Sequence, residues 1–156
     1  MIPTPTASDV AAAAIAIAGH VVRTPLVPSP RLSQQLGCEV RFKLENLHIT
    51  GSFKDRGSCH KLQLLRAERG AGAGVVAASA GNHAQGVAYH SHRLGLPAVI
   101  VMPRSTPFSK VERTEAHGAA VVLHGESVAE CQDHALELAK ERDLVFVHPY
   151  DDPAIV

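Results

Sequence analysis

No stretch of this 156-residue chain is apolar for long enough to cross a bilayer. The longest, Val10 to Gly19, is alanine-rich and too short. It also lacks the basic leader of a secretory signal, so a cytoplasmic location is expected. An excess of one charge is missing too: 15 Lys and Arg face 15 Asp and Glu. Both signs are interspersed, which leaves no basic patch for nucleic acid and no acidic tail. Cysteine is scarce. Cys38, Cys59 and Cys131 are odd in number and form no CxxC, so they read as buried or half-buried free thiols rather than as disulfides or a zinc site. Histidine is plentiful at ten, yet HExxH is absent. His90 and His92, the closest pair, diverge by ~200° on a helix, and no metal site is expected. Repeats and low-complexity segments are missing as well. The length fits one domain, or one plus part of another, and allows a core of its own.

Several helices and strands are legible. Thr6 followed by Asp9 resembles a capping box and opens an alanine-rich helix from Asp9 to about Ala18. Pro25, Pro28 and Pro30 mark residues 20–30 as extended loop, with a short helix from Arg31 to Leu36. Val40 to Leu44 reads as the first strand. A helix follows from Lys54. Strands and helices then alternate: Val75–Ala78, a helix over Asn82–Leu94, Ala98–Met102, a helix over Thr106–His117 with Pro107 in its first turn, Ala120–Leu123, a helix over Ser127–Arg142, and Leu144–Val147. The strands are short, continuous apolar runs, as expected when both faces are covered. The pattern predicts an α/β fold: a parallel sheet with helices on both faces, in three αβα layers. Asp152-Pro153 reads as the start of one more helix. Gly72, Gly74 and Ala77 spell GxGxxA, but the glycines precede a strand instead of following one. They read as a helix stop and a turn, not a dinucleotide site.

Two stretches carry chemistry. Lys54 stands in the first turn of its helix, where the positive end of the helix dipole disfavours an ammonium and lowers its pKa. A lysine that must act as a neutral nucleophile or base gains from that placement. Ser79-Ala80-Gly81-Asn82-His83 joins a strand end to a helix start. Backbone N–H groups point outward there, Ser79 and Asn82 add side-chain donors, and Gly81 admits an anion close to the main chain. The alternative for this loop is a plain helix cap with no ligand. In a parallel sheet the ligand site lies at the carboxyl ends of the strands, where both stretches belong.

Lys43-Leu44-Glu45-Asn46, then Thr50-Gly51-Ser52-Phe53-Lys54-Asp55-Arg56-Gly57, then Ser79-Ala80-Gly81-Asn82-His83-Ala84-Gln85-Gly86, resembles the pyridoxal-phosphate enzymes of the tryptophan-synthase-β fold (fold type II). Within them the chain is most similar to the threonine/serine dehydratases. Val101-Met102-Pro103, Lys110 to Gly118 and Val147 to Asp152 extend the match from about residue 20 onward. The resemblance implies that Lys54 bonds covalently to pyridoxal 5'-phosphate and later serves as base at the substrate Cα. Phe53 lies beside the cofactor ring, and Asn82 hydrogen-bonds its phenolic oxygen. Ser79, Ala80, Gly81, Asn82 and His83 hold the substrate carboxylate. The implied reaction is deamination of L-threonine or L-serine to 2-oxobutanoate or pyruvate and ammonia, a step used in isoleucine biosynthesis. The implied partners are a small amino-acid substrate and, in the full-length family, further copies of the chain. No membrane or nucleic acid is implied.

Ala80 replaces the second serine that serine racemases of the family use as a base, which favours elimination over racemisation. Cysteine synthases and other β-replacement enzymes carry a different loop here. Asp55, Ser58 and His48 depart from the family's usual apolar residue, alanine and glutamine. Arg56 reads as a structural ion-pair partner, with Glu45 as its mate. The family's phosphate-binding glycine run has no counterpart. The expected organisation is therefore an N-terminal portion of a larger domain over 1–50, a small α/β domain over 51–150, and a truncated return to the larger domain over 151–156. Weak cofactor retention and little activity of this chain alone are expected, since several charge-assisted hydrogen bonds of ~1.5–3 kcal/mol each would be missing. A non-catalytic truncated fragment is the competing reading from another class.

Overall fold

The computed structural model describes residues 4–156, so the first three residues of the expected lead-in lie outside the described residues. Among the described residues the order is α1 (Ala7–Ala16), β1 (Leu26–Pro28), α2 (Pro30–Leu36), β2 (Arg41–Lys43), a 3-10 turn over Glu45–Leu47, α3 (Lys54–Arg69), β3 (Val75–Ala78), α4 (Asn82–Leu94), β4 (Ala98–Met102), α5 (Phe108–Ala116), β5 (Ala120–Leu123), α6 (Val128–Glu141) and β6 (Val145–Phe146). Four strands form a parallel sheet in the order β5-β4-β3-β6.

Alternate residues of each strand feed different layers. Val75, Ala77, Ala98, Ile100 and Met102 pack with Leu62 and Leu65 of α3 and Ala84, Val87 and Ala88 of α4. Val76, Ala78 and Val101 pack on the other face with Cys131, Ala135 and Leu138 of α6. That two-sided cover is why all of β3 is buried and its sequence is an unbroken apolar run. The three-layer expectation holds.

Some local expectations need correction. Residues 26–28 are a strand rather than loop, because β1 pairs antiparallel with β2, with Val27 opposite Phe42. Pro28 stands at the strand's end, where its missing N–H costs no ladder bond. β2 thus belongs to a separate two-stranded sheet, not to the parallel one. The first helix begins two residues before Asp9: Thr6 is its N-cap and Asp9 the third helical residue of a capping box. α5 starts at Phe108, with Pro107 as its N-cap in extended conformation. Asp152-Pro153 opens only a turn, in which the Ile155 and Val156 amides return to the Asp152 carbonyl at 2.9 and 3.2 Å. Cys38 is exposed, while Cys59 and Cys131 are buried. The glycines before β3 form the turn expected of them: Gly70 ends α3 with φ +84°.

Candidate cofactor and substrate site

α3 precedes β3 and α4 follows it, so both run back against the strand direction. Their N-termini therefore meet at the carboxyl edge of the sheet. Gly86 permits this: a Cβ there would stand 3.2 Å from the Lys54 carbonyl oxygen and 2.8 Å from Ser58 Oγ. Lys54 reaches the edge at the start of α3, the helix start expected, but the strand before it, β2, belongs to the separate two-stranded sheet.

Lys54 is the first residue of α3, and its backbone N–H donates to Ser52 Oγ at 3.2 Å. Its Nζ donates to the Pro149 carbonyl, beyond the end of β6, and lies 5.3 Å from the Phe53 ring centroid. Burial of the amine lowers its pKa. Lys54, Phe53, Pro149 and Tyr150 line a cavity of about 610 Å³, closed on another side by Ala13 and Ile17, which flank the end of α1. The cavity wall is mostly apolar, which explains the desolvated amine.

The loop from Ser79 to Gly81 leads into α4 with no side-chain cap on the helix. Ser79 Oγ instead accepts the Gly81 N–H at 3.2 Å. The first turn of α4 thus keeps its unpaired N–H groups, and a Cβ built on Gly81 would meet nothing within 4 Å. The arrangement can take an anion. His83 is buried, and its Nε2–H donates to the Val147 carbonyl at 2.9 Å. Burial pushes this imidazole down to about 4.

Beneath Lys54 lies a polar network. Arg56 Nε and Nη2 donate to the two oxygens of Glu45 at 2.7 and 2.8 Å, the pair expected from the sequence. Thr24 Oγ1–H joins them at 2.6 Å. Arg56 holds the Glu45 carboxyl down to about 2. Asp55 accepts the Thr50 hydroxyl at 2.5 Å and faces His48 and His90. Burial raises the Asp55 carboxyl, but the nearby His90 ring, 3.6 Å away, and the hydrogen bonds from Thr50 outweigh it and hold it below the usual carboxylate range.

Of the residues singled out in the sequence, Phe53 and Lys54 line the cavity. Ser79, Ala80, Gly81, Asn82 and His83 sit at the neighbouring helix start and do not line it. Lys54 and His83 meet the same segment, the exit of β6 at Val147 to Pro149. His90 is the residue that sequence reasoning missed. Its signal was a stripe at helical spacing, His83, Val87 and His90, all buried on one face of α4.

The family model of pyridoxal-phosphate dependent enzymes matches residues 17–156. The chain belongs to the pyridoxal-phosphate dependent enzyme family. It is 45% identical over 151 residues to the L-threonine ammonia-lyase of Thermotoga maritima, covering 97% of this chain and 37% of that protein. The processed form of threonine deaminase isoform 2 from Solanum lycopersicum superposes with a TM-score of 0.83 at 37% identity, covering 99% of this chain and 44% of that one. Serine racemase from Dictyostelium discoideum superposes with a TM-score of 0.88 at 29% identity, covering 98% and 50%. The chain thus spans half or less of the length of these relatives. The family's cofactor suits the residues present: a lysine amine with a lowered pKa lines a mostly apolar cavity, beside an uncapped helix start.

Proposed function

We propose that the chain provides the lysine and the amino-acid-binding half of a dehydratase that deaminates L-threonine or L-serine. The observation that carries this is the pairing of a desolvated Lys54 amine with the uncapped start of α4 at one sheet edge. Lys54 would hold the cofactor through its amine and, once freed, would take the proton from the substrate Cα. Phe53 backs the ring, and Asn82 orients it. The N–H groups at Ser79 to His83 bind the substrate carboxylate. Pyridoxal phosphate, when bound, supplies the electron sink for the charge that develops at Cα. Loss of the β-hydroxyl and hydrolysis then give the 2-oxo acid and ammonia. The apolar wall around Lys54 lowers its pKa and so favours the neutral amine, the form able to accept that proton.

Racemisation is the second reading, favoured by the likeness to serine racemase. Ala80 has no group able to move a proton on the opposite face, so elimination is the better fit. We place residues 51–150 in a small domain, with 1–50 and 151–156 belonging to a larger one. A homo-oligomeric enzyme of the cytoplasm, feeding 2-oxobutanoate to isoleucine synthesis, completes the proposal.

The test is a fusion of this chain to the remainder of the Thermotoga maritima L-threonine ammonia-lyase, assayed for 2-oxobutanoate from L-threonine. Release that disappears with Lys54→Ala supports the proposal. Release that survives Lys54→Ala, or D-allo-threonine formation without release, sinks it.

A further inference from the structure

Past β6 the chain turns back along α3 and meets it at several points. Lys54 Nζ donates to the Pro149 carbonyl. Gly57 lies against Ile155, so close that a Cβ there would overlap the Ile155 carbonyl oxygen. His60 Nδ1–H donates to the Ala154 carbonyl at 3.0 Å. Lys61 Nζ pairs with Asp152 Oδ2 at 2.7 Å. Lys54, Gly57, His60 and Lys61 follow one another at helical spacing, so they share one face of α3. Residues 149–156 are therefore a strap laid along that face, with the Lys54 amine against its first residue.

The strap shapes the surroundings of Lys54 in two ways. It supplies the carbonyl on which the amine rests. Its residues Pro149, Tyr150, Ala154, Ile155 and Val156 also line the cavity that desolvates the amine. Of the contacts that fasten the strap, one is a charge pair. Asp152 is 14% and Lys61 25% exposed at the side chain, so salt and water screen the pair less than one on the open surface. Asp152 also folds the strap. Its Oδ1 accepts the Ala154 N–H at 2.9 Å, and its backbone carbonyl accepts the Ile155 and Val156 N–H groups. One residue thus makes the turn and ties it to α3.

We propose that Lys61 and Asp152 are positioning residues for Lys54: their ion pair holds the strap on α3, and the strap keeps the amine dry and on the Pro149 carbonyl. This rests on the reading of Lys54 as the reactive amine. Neither residue lines the cavity, and Lys61 stands about two turns along the helix from Lys54, so both act through the strap. The titratable and charged groups around the amine are Arg56 and His60 on α3, His83 on α4, and His148 and Tyr150 past β6. The α1 side brings Val10, Ala13, Ala14 and Ile17, all apolar.

The test compares the unmodified chain with Asp152→Asn, Lys61→Met and Lys61→Arg. Competitive labelling gives the pH midpoint of Lys54, and amide exchange at Ile155 reports the strap. Asp152→Asn keeps an oxygen for the Ala154 N–H and loses the charge. Acting through space alone, loss of the Asp152 charge would lower the Lys54 midpoint, and loss of the Lys61 charge would raise it. Acting through the strap, both changes admit water to the amine and raise the midpoint. The expected result in both is a rise of about half a pH unit or more, which slows labelling at pH 7 about threefold. Exchange at Ile155 becomes faster in both, and Lys61→Arg behaves as the unmodified chain. An unchanged or lower midpoint in Asp152→Asn overturns the proposal. Faster exchange without a midpoint shift also overturns it, because a purely structural pair gives that result. An ordinary midpoint already in the unmodified chain sinks the Lys54 reading as well, whereas a low midpoint that neither Asp152→Asn nor Lys61→Met moves overturns this proposal alone.

Discussion

The amine of Lys54 rests on the carbonyl of Pro149, 95 residues away in sequence, at the edge of a mostly apolar cavity. Burial there penalises the ammonium and lowers the lysine's pKa. A lowered pKa means that the neutral, reactive amine is present at lower pH than in a free lysine. Competitive labelling across a pH series is expected to give Lys54 half-maximal reactivity at lower pH than the exposed Lys110 and Lys140. Equal midpoints would show that the cavity does not tune the amine.

His83 ties the start of α4 to the exit of β6, donating to Val147 as a neutral ring. Its folded-state pKa is about 4 against an ordinary 6.5. The unfolded chain therefore binds more protons than the folded chain between those values. Stability is complete above pH 6.5 and falls as pH drops toward about 4, by at most about 3 kcal/mol from this group. In His83→Gln, which retains a donor, urea melts are expected to lose that slope. An unchanged slope over pH 6.5 to 4 assigns it to other groups.

Glu45 works with the same sign at lower pH. Its carboxyl is held near 2 by Arg56, below the ordinary 4.5. The stability it contributes is present above 4.5 and lost as pH falls through about 2. Glu45→Gln is expected to flatten acid unfolding in that window and to cost about 1–3 kcal/mol at neutral pH, because it leaves Arg56 half-buried without its bidentate partner. Arg56→Lys keeps the charge but not the two-pronged geometry, and should fall between the two. Urea midpoints at pH 7 and pH 3 check both.

Gly57 lies on α3 against the end of the chain. A Cβ at this position would overlap the backbone carbonyl oxygen of Ile155, which cannot rotate away. Gly57→Ala is expected to cost about 1–3 kcal/mol and to loosen the turn over residues 152–156. Gly72→Ala, where an added Cβ meets nothing within 4 Å, is the control and should be near neutral. Hydrogen exchange of the Ile155 and Val156 amides reports the turn directly.

Much of the fold is visible in the sequence for physical reasons. The Val-, Ile- and Ala-rich strands β3 to β5 and the helix α4 fall at the expected residues, because sheets covered on both faces leave uninterrupted apolar runs between glycine stops. β1 was hidden because Pro25, Pro28 and Pro30 in and around it signal loop, and only pairing with β2 makes Leu26–Pro28 a strand. Lys54 was legible from its motif and its helix start, as was the Glu45–Arg56 pair. The Pro149 carbonyl was not legible, since a backbone acceptor 95 residues distant leaves no mark in composition. His48 and Asp55 stood out singly as departures, but the approach of His90 to Asp55 exists only once α3 packs on α4.

The central claim is that Lys54 is the lysine that bonds pyridoxal phosphate. The direct measurement is to incubate the chain with pyridoxal phosphate, reduce with borohydride and map the modified peptides. The account predicts that at low reagent Lys54 is labelled before Lys43, Lys61, Lys110 and Lys140, and that Lys54→Ala removes this fast phase. Labelling spread evenly over the five lysines, with the fast phase intact in Lys54→Ala, would contradict it.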